Sequence, residues 1–236
     1  MQAPAPTATI NYKKAPKLSL NEYFDEIYCI NLKSRPERLA SFKKNFKKLG
    51  MPNITIFEAL DGATLERGDW PLSNGALGCT LSHVAIYNDA LKKKYSKILV
   101  FEDDAIIKRG FVKSFSNMIA TLKDDWDMLY LGGSHHLPPE PVNADIVKVT
   151  CTLATHAIAF NCNCLPLILA ERNTTQIIDV ALANFHPQLR VYAPTEFVAF
   201  QSEGYSDIQE SHVNYSVSTF DKIFYKLKRI FTAKAN

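Results

Sequence analysis

The 236-residue chain is long enough for one large domain with its own core or for two small domains. Apolar residues make up 47% and charged residues 22%, which is typical of a globular chain, and no apolar run approaches the roughly 18–20 residues that a membrane-spanning helix needs. The formal net charge of +3 is too small to predict a nucleic acid as partner, and the five cysteines match no zinc-binding spacing. We therefore expect reduced thiols and a cytoplasmic protein.

The predicted elements alternate between strands and helices from the start of the chain. Residues 27–30 are a short apolar run that predicts a buried strand, and apolar residues at helical spacing predict a helix over residues 36–49. Residues 54–57 predict a second strand, and the polar, turn-rich stretch over residues 59–74 predicts a loop at the mouth of the sheet. This order is typical of a parallel α/β layout.

The rest of the chain extends the same layout. A helix, a third strand, a helix and a fourth strand are followed by a loop with three prolines, a fifth strand, a helix and an extended stretch. Their predicted ranges are 77–91, 97–101, 111–122, 128–131, 135–145, 157–160, 165–170 and 191–200. We therefore predict one α/β domain over residues 23–217, with a mostly parallel central sheet flanked by helices, after a flexible leader over residues 1–22.

Three consecutive acids, Glu102, Asp103 and Asp104, directly follow the third predicted strand. In open α/β sheets the reactive groups gather beyond the carboxyl ends of the strands. Neighbouring carboxylates repel one another, and a hard divalent cation compensates them well because carboxylate oxygens are its preferred ligands. The segment is therefore a candidate metal site, and position alone leaves helix capping and surface charge open as alternatives.

Four motifs occur in order along the chain: YCINLKSRPER at residues 28–38, GALGCTLSH at 75–83, VFEDDA at 100–105 and HAIAF at 156–160. Together they resemble glycosyltransferase family 25, which includes lipooligosaccharide galactosyltransferases and collagen galactosyltransferase domains. The resemblance implies a GT-A type fold and an inverting transferase that moves a hexose, galactose before glucose, from a UDP-sugar to a hydroxyl. It also implies Mn²⁺ or Mg²⁺ as the cofactor and a glycan, glycolipid or hydroxylysine-type acceptor.

The resemblance also assigns roles within the acidic segment. Asp104 is expected to be the main metal ligand, Glu102 to contact the ribose or a metal-bound water, and Asp103 to contact the donor sugar. A late histidine often completes the metal shell in GT-A enzymes, which makes His212 the second expected ligand. Glu102 departs from a strict D-x-D motif, so the division of roles among the three acids stays open.

Residues that follow the first two predicted strands are candidate donor contacts. Asn31, Arg35 and Arg38 follow the first strand, where an arginine fork suits diphosphate recognition. A solvated basic helix face is the alternative, above all for Arg38. Asp61 follows the second strand and is placed to accept a ribose hydroxyl, while a turn aspartate before Gly62 is the alternative.

Ser82 and His83 belong to the second motif, and the resemblance implies that they contact the donor or its phosphates. For His83, a histidine packed within its helix is the alternative. His135 and His136 lie in the proline-rich loop and are expected to be surface residues.

Inversion needs a general base that takes the proton of the acceptor hydroxyl during the attack. Asp179 resembles the late aspartate of the family and is the candidate base. Glu203 and Asp207 are its rivals, and a helix-capping role is the alternative for Asp179.

The last predicted element is a basic amphipathic helix over residues 218–236. Its apolar residues recur at helical spacing while its basic residues occupy other faces, as in helices that lie on anionic membranes. We expect peripheral contact with the cytoplasmic face of a membrane, with docking onto the domain as the alternative.

Three other functions compete with a transferase. A phosphatase with an aspartate nucleophile needs its acids after the first strand, where Asn31 stands instead, and a nucleotidyltransferase needs a glycine-rich loop near the N-terminus, which the sequence lacks. A nucleotide-sugar-binding domain without catalysis stays open.

Overall fold

The computed structural model describes residues 19–48, 53–202, 204–206 and 211–213, the last two segments by their backbone alone. The helices are α1 (Leu20–Tyr23), α2 (Pro36–Lys48), α3 (Asn74–Lys92), α4 (Phe111–Leu122), α5 (Leu165–Glu171) and α6 (Ile178–Ala183), with 3₁₀ turns at Gly62–Thr64 and Cys162–Cys164. The strands are β1 (Glu26–Asn31), β2 (Thr55–Glu58), β3 (Lys97–Glu102), β4 (Ala105–Ile107), β5 (Met128–Tyr130), β6 (Ser134–Leu137), β7 (Glu140–Pro141), β8 (Ile146–Lys148), β9 (Cys151–Leu153), β10 (Ala157–Asn161), β11 (Val191–Pro194), β12 (Ala199–Gln201), β13 (Gly204–Ser206) and β14 (Ser211–Val213).

Eight strands form the central sheet in the order β2–β1–β3–β10–β5–β11–β8–β7. β1 pairs in parallel with β2 and β3, and β5 pairs in parallel with β11. β10 runs antiparallel between β3 and β5, so β2, β1, β3, β5 and β11 all point the same way. The structure confirms the predicted α/β domain with a mostly parallel central sheet flanked by helices.

The two faces of the sheet are covered by different helices because side chains alternate along each strand. On one face, Tyr28 of β1 packs in a buried cluster with Ile86 of α3 and with residues of α5 and α6. On the other face, Ile27 packs in a second buried cluster with Phe42 of α2 and Phe115 of α4. The chain therefore folds into three layers, with the sheet in the middle.

One predicted loop contains strands instead. The prolines of residues 135–145 predict a loop, but β6 and β7 lie there. β6 pairs with β9 in a separate small sheet, and β7 is an edge strand of the central sheet. Proline is compatible with an edge strand because its missing N–H leaves no hydrogen bond of the sheet unmade, so Pro141 does not prevent this pairing.

The strand directions decide where a site can form. The carboxyl ends of β1, β2, β3 and β5 lie at one edge of the sheet, and the antiparallel β10 begins at that edge. The predicted helix over residues 218–236 lies outside the described residues. Within the described ranges, no helix is long and apolar enough to cross a bilayer.

Candidate active site

A cavity of about 860 Å³ opens at the edge where the parallel strands end. The residues after β1, β2 and β3 line it, together with the start of α3, the loop between β9 and β10, and the start of α6. Among the lining residues that the structure describes, five are acids and one is an arginine; these are Asp61, Glu102, Asp103, Asp104, Asp179 and Arg38. This excess of negative charge favours a cation in the cavity.

Asp103 is held from two sides. Asn31, the last residue of β1, donates from Nδ2 to Asp103 Oδ2 at 2.6 Å, and Arg38 Nη2 lies 2.6 Å from Asp103 Oδ1. Arg38 stands in the first turn of α2, and its Nη2 also lies 3.0 Å from Asp104 Oδ2. Arg38 therefore bridges two acids of the site, and the alternative of a solvated basic face does not describe it.

Asp104 keeps one carboxylate oxygen without a partner. Its Oδ1 is buried and accepts no hydrogen bond within the part of the chain that the structure describes. Burial and the neighbouring Glu102 raise the pKa of Asp104, and Arg38 opposes this only in part. Such a shift means that the ionised form lacks positive compensation. A hard divalent cation supplies that compensation, so the residues present fit the metal that the resemblance implies.

Glu102, the last residue of β3, is held differently. His83 Nε2 lies 3.2 Å from Glu102 Oε1, and Thr155 Oγ1 donates to the same oxygen at 2.6 Å. Burial alone would raise the pKa of Glu102, but the hydrogen bond and charge of His83 and the hydrogen bond from Thr155 hold it below its ordinary value. Glu102 is therefore an anion with one oxygen fixed by its neighbours.

The loop after β2 packs directly on the first turns of α3. A Cβ on Gly62 would meet the carbonyl oxygen of Asn74 at 1.7 Å, and a Cβ on Gly78 would meet that of Leu60 at 2.4 Å. The fully buried Ser82 accepts at Oγ from Leu60 N at 2.8 Å and donates to the Gly78 oxygen at 2.6 Å. Two glycines and one hydroxyl thereby fix the loop against the helix.

This packing presents Asp61 to the cavity. Asp61 is the N-cap of the 3₁₀ turn, and its Oδ1 accepts from Ala63 N at 3.0 Å. The turn role that the sequence left open is therefore present. The expected contact with a ribose hydroxyl stays a prediction.

Asp179 lines the cavity from the first turn of α6. Its Oδ2 accepts from Ala154 N at 3.2 Å and its Oδ1 from Val180 N at 2.7 Å. Ala154 has a φ of 69°, a left-handed conformation that is strained for a residue with a Cβ and that clusters at functional loops. Burial raises the pKa of Asp179, although the two backbone hydrogen bonds oppose the shift. A carboxylate in this environment is a suitable proton acceptor.

The predicted site residues fall into four groups. Asp61, Glu102, Asp103, Asp104 and Asp179 line the cavity. Asn31, Ser82 and His83 are buried and contact residues that line it. Arg35 is not among the described lining residues. The side chains of His212, in β14, and of the rival bases Glu203 and Asp207 lie outside what the structure describes, so their roles stay predictions.

Sequence reasoning missed other residues of the cavity. Thr155 and Cys79 line it, and each lies beside or within a matching motif, which was a usable signal. His136 was expected at the surface; it is exposed, yet it also lines the cavity. It lies where the pairing of β6 with β9 shifts register between His135 and Leu137, and such a bulge redirects side chains without a local sequence signal.

Known proteins resemble the chain over most of this site. The family model of glycosyltransferase family 25 (LPS biosynthesis protein) matches residues 24–176. A probable inactive glycosyltransferase 25 family member 3 of Rattus norvegicus is 27% identical over 163 residues, which are 60% of this chain and 28% of the relative. Procollagen galactosyltransferase 2 of Homo sapiens is 28% identical over 142 residues, 51% of this chain and 22% of the relative. The chain thus spans about a quarter of the length of these relatives.

Two solved structures resemble the chain more weakly. A glycosyltransferase involved in glycosylation of the major capsid of PBCV-1 has a TM-score of 0.48 at 12% identity and covers 85% of this chain and 98% of its own. A Drosophila galactosyltransferase 7 mutant in complex with manganese, UDP-Gal and xylobiose has a TM-score of 0.45 at 10% identity, covering 84% of this chain and 78% of its own.

Proposed function

Because the chain belongs to glycosyltransferase family 25, we propose that it transfers a hexose, galactose in the first instance, from a UDP-sugar to a hydroxyl of a glycan or protein acceptor, with inversion at the sugar carbon. Family membership confirms the resemblance that the four motifs indicated. The observation that carries the proposal is Asp104, whose buried Oδ1 has no partner among the described residues and which lines a cavity shared with Arg38.

The leaving group of this reaction is UDP, whose diphosphate gains negative charge as the sugar bond breaks. Asp104 would hold a manganese or magnesium ion, which would supply positive charge to this leaving group. Arg38 lies 3.0 Å from Asp104 Oδ2 and is proposed to contact the same diphosphate with its guanidinium. Asp103, fixed between Asn31 and Arg38, orients the arginine for this contact.

The cavity is large enough for a nucleotide sugar, since about 860 Å³ lies within the roughly 300–1,000 Å³ of typical ligand pockets. The nucleoside is proposed to lie against the loop after β2, where Asp61 accepts a ribose hydroxyl and the partly exposed Leu60 offers apolar surface to the base. Glu102, held at Oε1 by its neighbours, presents its carboxylate to the donor.

Asp179 is proposed to act as the general base. It removes the proton from the acceptor hydroxyl while the acceptor oxygen forms a bond to the anomeric carbon and the bond from that carbon to the UDP oxygen breaks. The raised pKa of Asp179 brings it closer to the operating pH, where a base works most efficiently. The hydrogen bonds from Ala154 and Val180 keep its carboxylate in one orientation.

One observation favours a second candidate function. The rat relative is named as probably inactive, although it is similar to this chain over 163 residues. A domain that binds a nucleotide sugar without transferring it would keep the cavity and the metal ligand but turn nothing over. Turnover therefore separates the two functions.

The deciding experiment is UDP release from a panel of UDP-sugars, with manganese and with a chelator. Many transferases slowly hydrolyse their donor, so no acceptor need be known. We expect chelator-sensitive release from one sugar, UDP-galactose, and UDP-glucose is the nearest competitor in the panel. Asp104→Asn is the matched control, because it removes the charge of the proposed ligand with little change in volume.

If UDP is released from none of the UDP-sugars, the next experiment is calorimetry of donor binding in the presence of manganese. Binding without release, in the presence of candidate acceptors, would replace the transferase with the binding domain. Release that a chelator leaves unchanged would remove the metal from the proposal.

A further inference from the structure

Three side chains of different chemistry meet at the back of the cavity. Cys79 and His83 lie one turn apart on α3, and Glu102 ends β3. One ligand atom from each, a sulfur, a ring nitrogen and a carboxylate oxygen, all lie within 4.8 Å of one another. Cys79 and Glu102 also line the cavity, which gives an ion access to the group. We propose that these three residues bind a borderline-soft divalent ion of the zinc class, at a site separate from the hard-cation site at Asp104.

The spacing suits such an ion. Because the three ligand atoms lie within 4.8 Å of one another, a single point lies within about 2.8 Å of all three. This distance is slightly longer than the zinc–ligand bond lengths of about 2.0–2.3 Å. Small side-chain movements close the remaining gap. His83 Nε2 and Glu102 Oε1 are already 3.2 Å apart, about the separation of two ligands on one tetrahedral zinc ion. Three protein ligands leave the fourth position to water from the cavity.

The outer contacts are those that support metal ligands elsewhere. Tyr87 Oη lies 3.4 Å from His83 Nδ1, and Thr155 Oγ1 donates to Glu102 Oε1 at 2.6 Å. Ligating histidines usually donate from their other ring nitrogen, and ligating carboxylates are themselves hydrogen-bonded. With its proton on Nδ1, His83 donates to the Tyr87 hydroxyl and turns a lone pair at Nε2 to the ion.

The thiol distinguishes this site from the one at Asp104. A thiolate selects borderline-soft ions such as zinc and cobalt, whereas carboxylates alone select magnesium and manganese. Cys79 is a free, half-buried thiol. On binding, the thiol proton leaves to solvent and the sulfur becomes a thiolate ligand.

The test uses the full chain, stripped with a chelator and titrated with Co²⁺ in the absence of donor and acceptor. We expect a thiolate-to-cobalt charge-transfer band that saturates at one ion per chain and is abolished by excess Zn²⁺. Cys79→Ser should lose the band, and His83→Gln should weaken the cobalt affinity about tenfold or more. Cys151→Ser, which changes another half-buried thiol, is the matched control and should keep the band.

A band that is absent, or that survives Cys79→Ser, would overturn the proposal and leave the group as hydrogen-bonded support for Glu102. If Cys79→Ser does not fold, the wild-type chain gives the answer: Zn²⁺ should protect Cys79 from alkylation by iodoacetamide, and unchanged alkylation overturns the site. Asp104→Asn should keep the cobalt band, because the hard-cation site is separate, and loss of the band there would merge the two. None of these readouts depends on transferase activity, so failure here and failure of UDP release are distinguishable.

Discussion

Two arginines of this protein each bridge a pair of aspartates. The two clusters lie at opposite ends of the parallel strands of the central sheet. At the carboxyl ends of β1 and β3, Arg38 Nη2 lies 2.6 Å from Asp103 and 3.0 Å from Asp104. At the amino ends of β5 and β11, Arg190 Nη2 lies 2.7 Å from Asp127 Oδ1, and Arg190 Nη1 contacts Asp125. The Arg38 cluster (Arg38, Asp103 and Asp104) and the Arg190 cluster (Arg190, Asp125 and Asp127) contain the same residue types. They differ in whether a buried carboxylate oxygen is left without a hydrogen-bond partner.

The Arg190 cluster is complete. Asp127 Oδ2 also accepts from the backbone N and from Nε of Arg190, at 2.8 and 2.9 Å, and these bonds hold its pKa low although burial alone would raise it. In the Arg38 cluster the pKa of Asp104 is raised instead, and Oδ1 has no partner in the described structure. An ion pair is therefore weak evidence of function. An unsatisfied buried carboxylate oxygen that lines a cavity is stronger evidence.

Asp104→Asn tests this comparison with the largest expected effect. We expect metal-dependent UDP release to fall about 10³-fold or more, because the substitution removes the charge that is proposed to hold the ion. Thermal stability should not fall, because the fold disfavours the ionised carboxylate that the substitution removes.

Normal turnover in this variant would remove the metal assignment. A large drop in melting temperature with intact turnover would show that Asp104 has a structural role, as Asp127 does. The two clusters would then not differ in function.

Asp179→Asn is expected to have the next largest effect. Asp179 is a third kind of carboxylate, held by the backbone N–H groups of Ala154 and Val180. Loss of the proposed general base should lower kcat by about 10²–10⁴-fold, while UDP affinity measured by calorimetry should stay within about twofold. Equal losses in turnover and in UDP affinity would instead give Asp179 a binding or structural role.

The fold was largely predictable because its signals are local. β1 and β3 are apolar runs because both of their faces are buried. α2 has Phe42 and Phe46 at helical spacing because only one of its faces is buried. The missed strands are short and depend on distant partners. β4, for example, pairs with β12 through Ile107 and Ala199, and nothing near either residue in the sequence indicates the other.

The candidate site was predictable where a motif marked it, as at residues 102–104. The role of Arg38 was not, because it depends on how α2 places that side chain beside Asp103. The sequence also cannot tell whether His83 contacts a donor or supports Glu102, because both roles require the same position near the end of β3. The structure places His83 fully buried and 3.2 Å from Glu102, and its expected contact with the donor stays a prediction.

Substitution of each arginine also tests the comparison of the two clusters. The expected effect on activity is smaller than for the two aspartate substitutions. Arg38→Gln should lower kcat/KM about 10–100-fold, because hydrogen bonds to charged groups contribute roughly 1.5–3 kcal/mol and this arginine is proposed to contact the diphosphate. Arg190→Gln, the matched control, should leave kcat/KM within about twofold and lower the melting temperature. The reverse pattern would show that the Arg38 cluster is the structural one.

Asp127→Asn is expected to give the smallest effect, on stability alone. It should lower the free energy of unfolding by about 1–2 kcal/mol near neutral pH, because it removes the charge from the hydrogen bonds with Arg190. Asp125→Asn is the control and should stay within about 0.5 kcal/mol, because the Asp125 side chain is 74% exposed.

The pH dependence of Asp127→Asn identifies the source of the effect. The pKa of Asp127 is lowered in the folded chain, so the stabilisation is fully present above the ordinary aspartate pKa of about 3.9 and is lost as the pH falls through the folded value. The free energies of unfolding of wild type and variant, measured with urea, should therefore differ by the same amount from near pH 6 to near pH 8. The difference should become progressively smaller below about pH 4. A gap that stays constant into strong acid would mean that packing, and not the carboxylate charge, makes the Arg190 cluster structural.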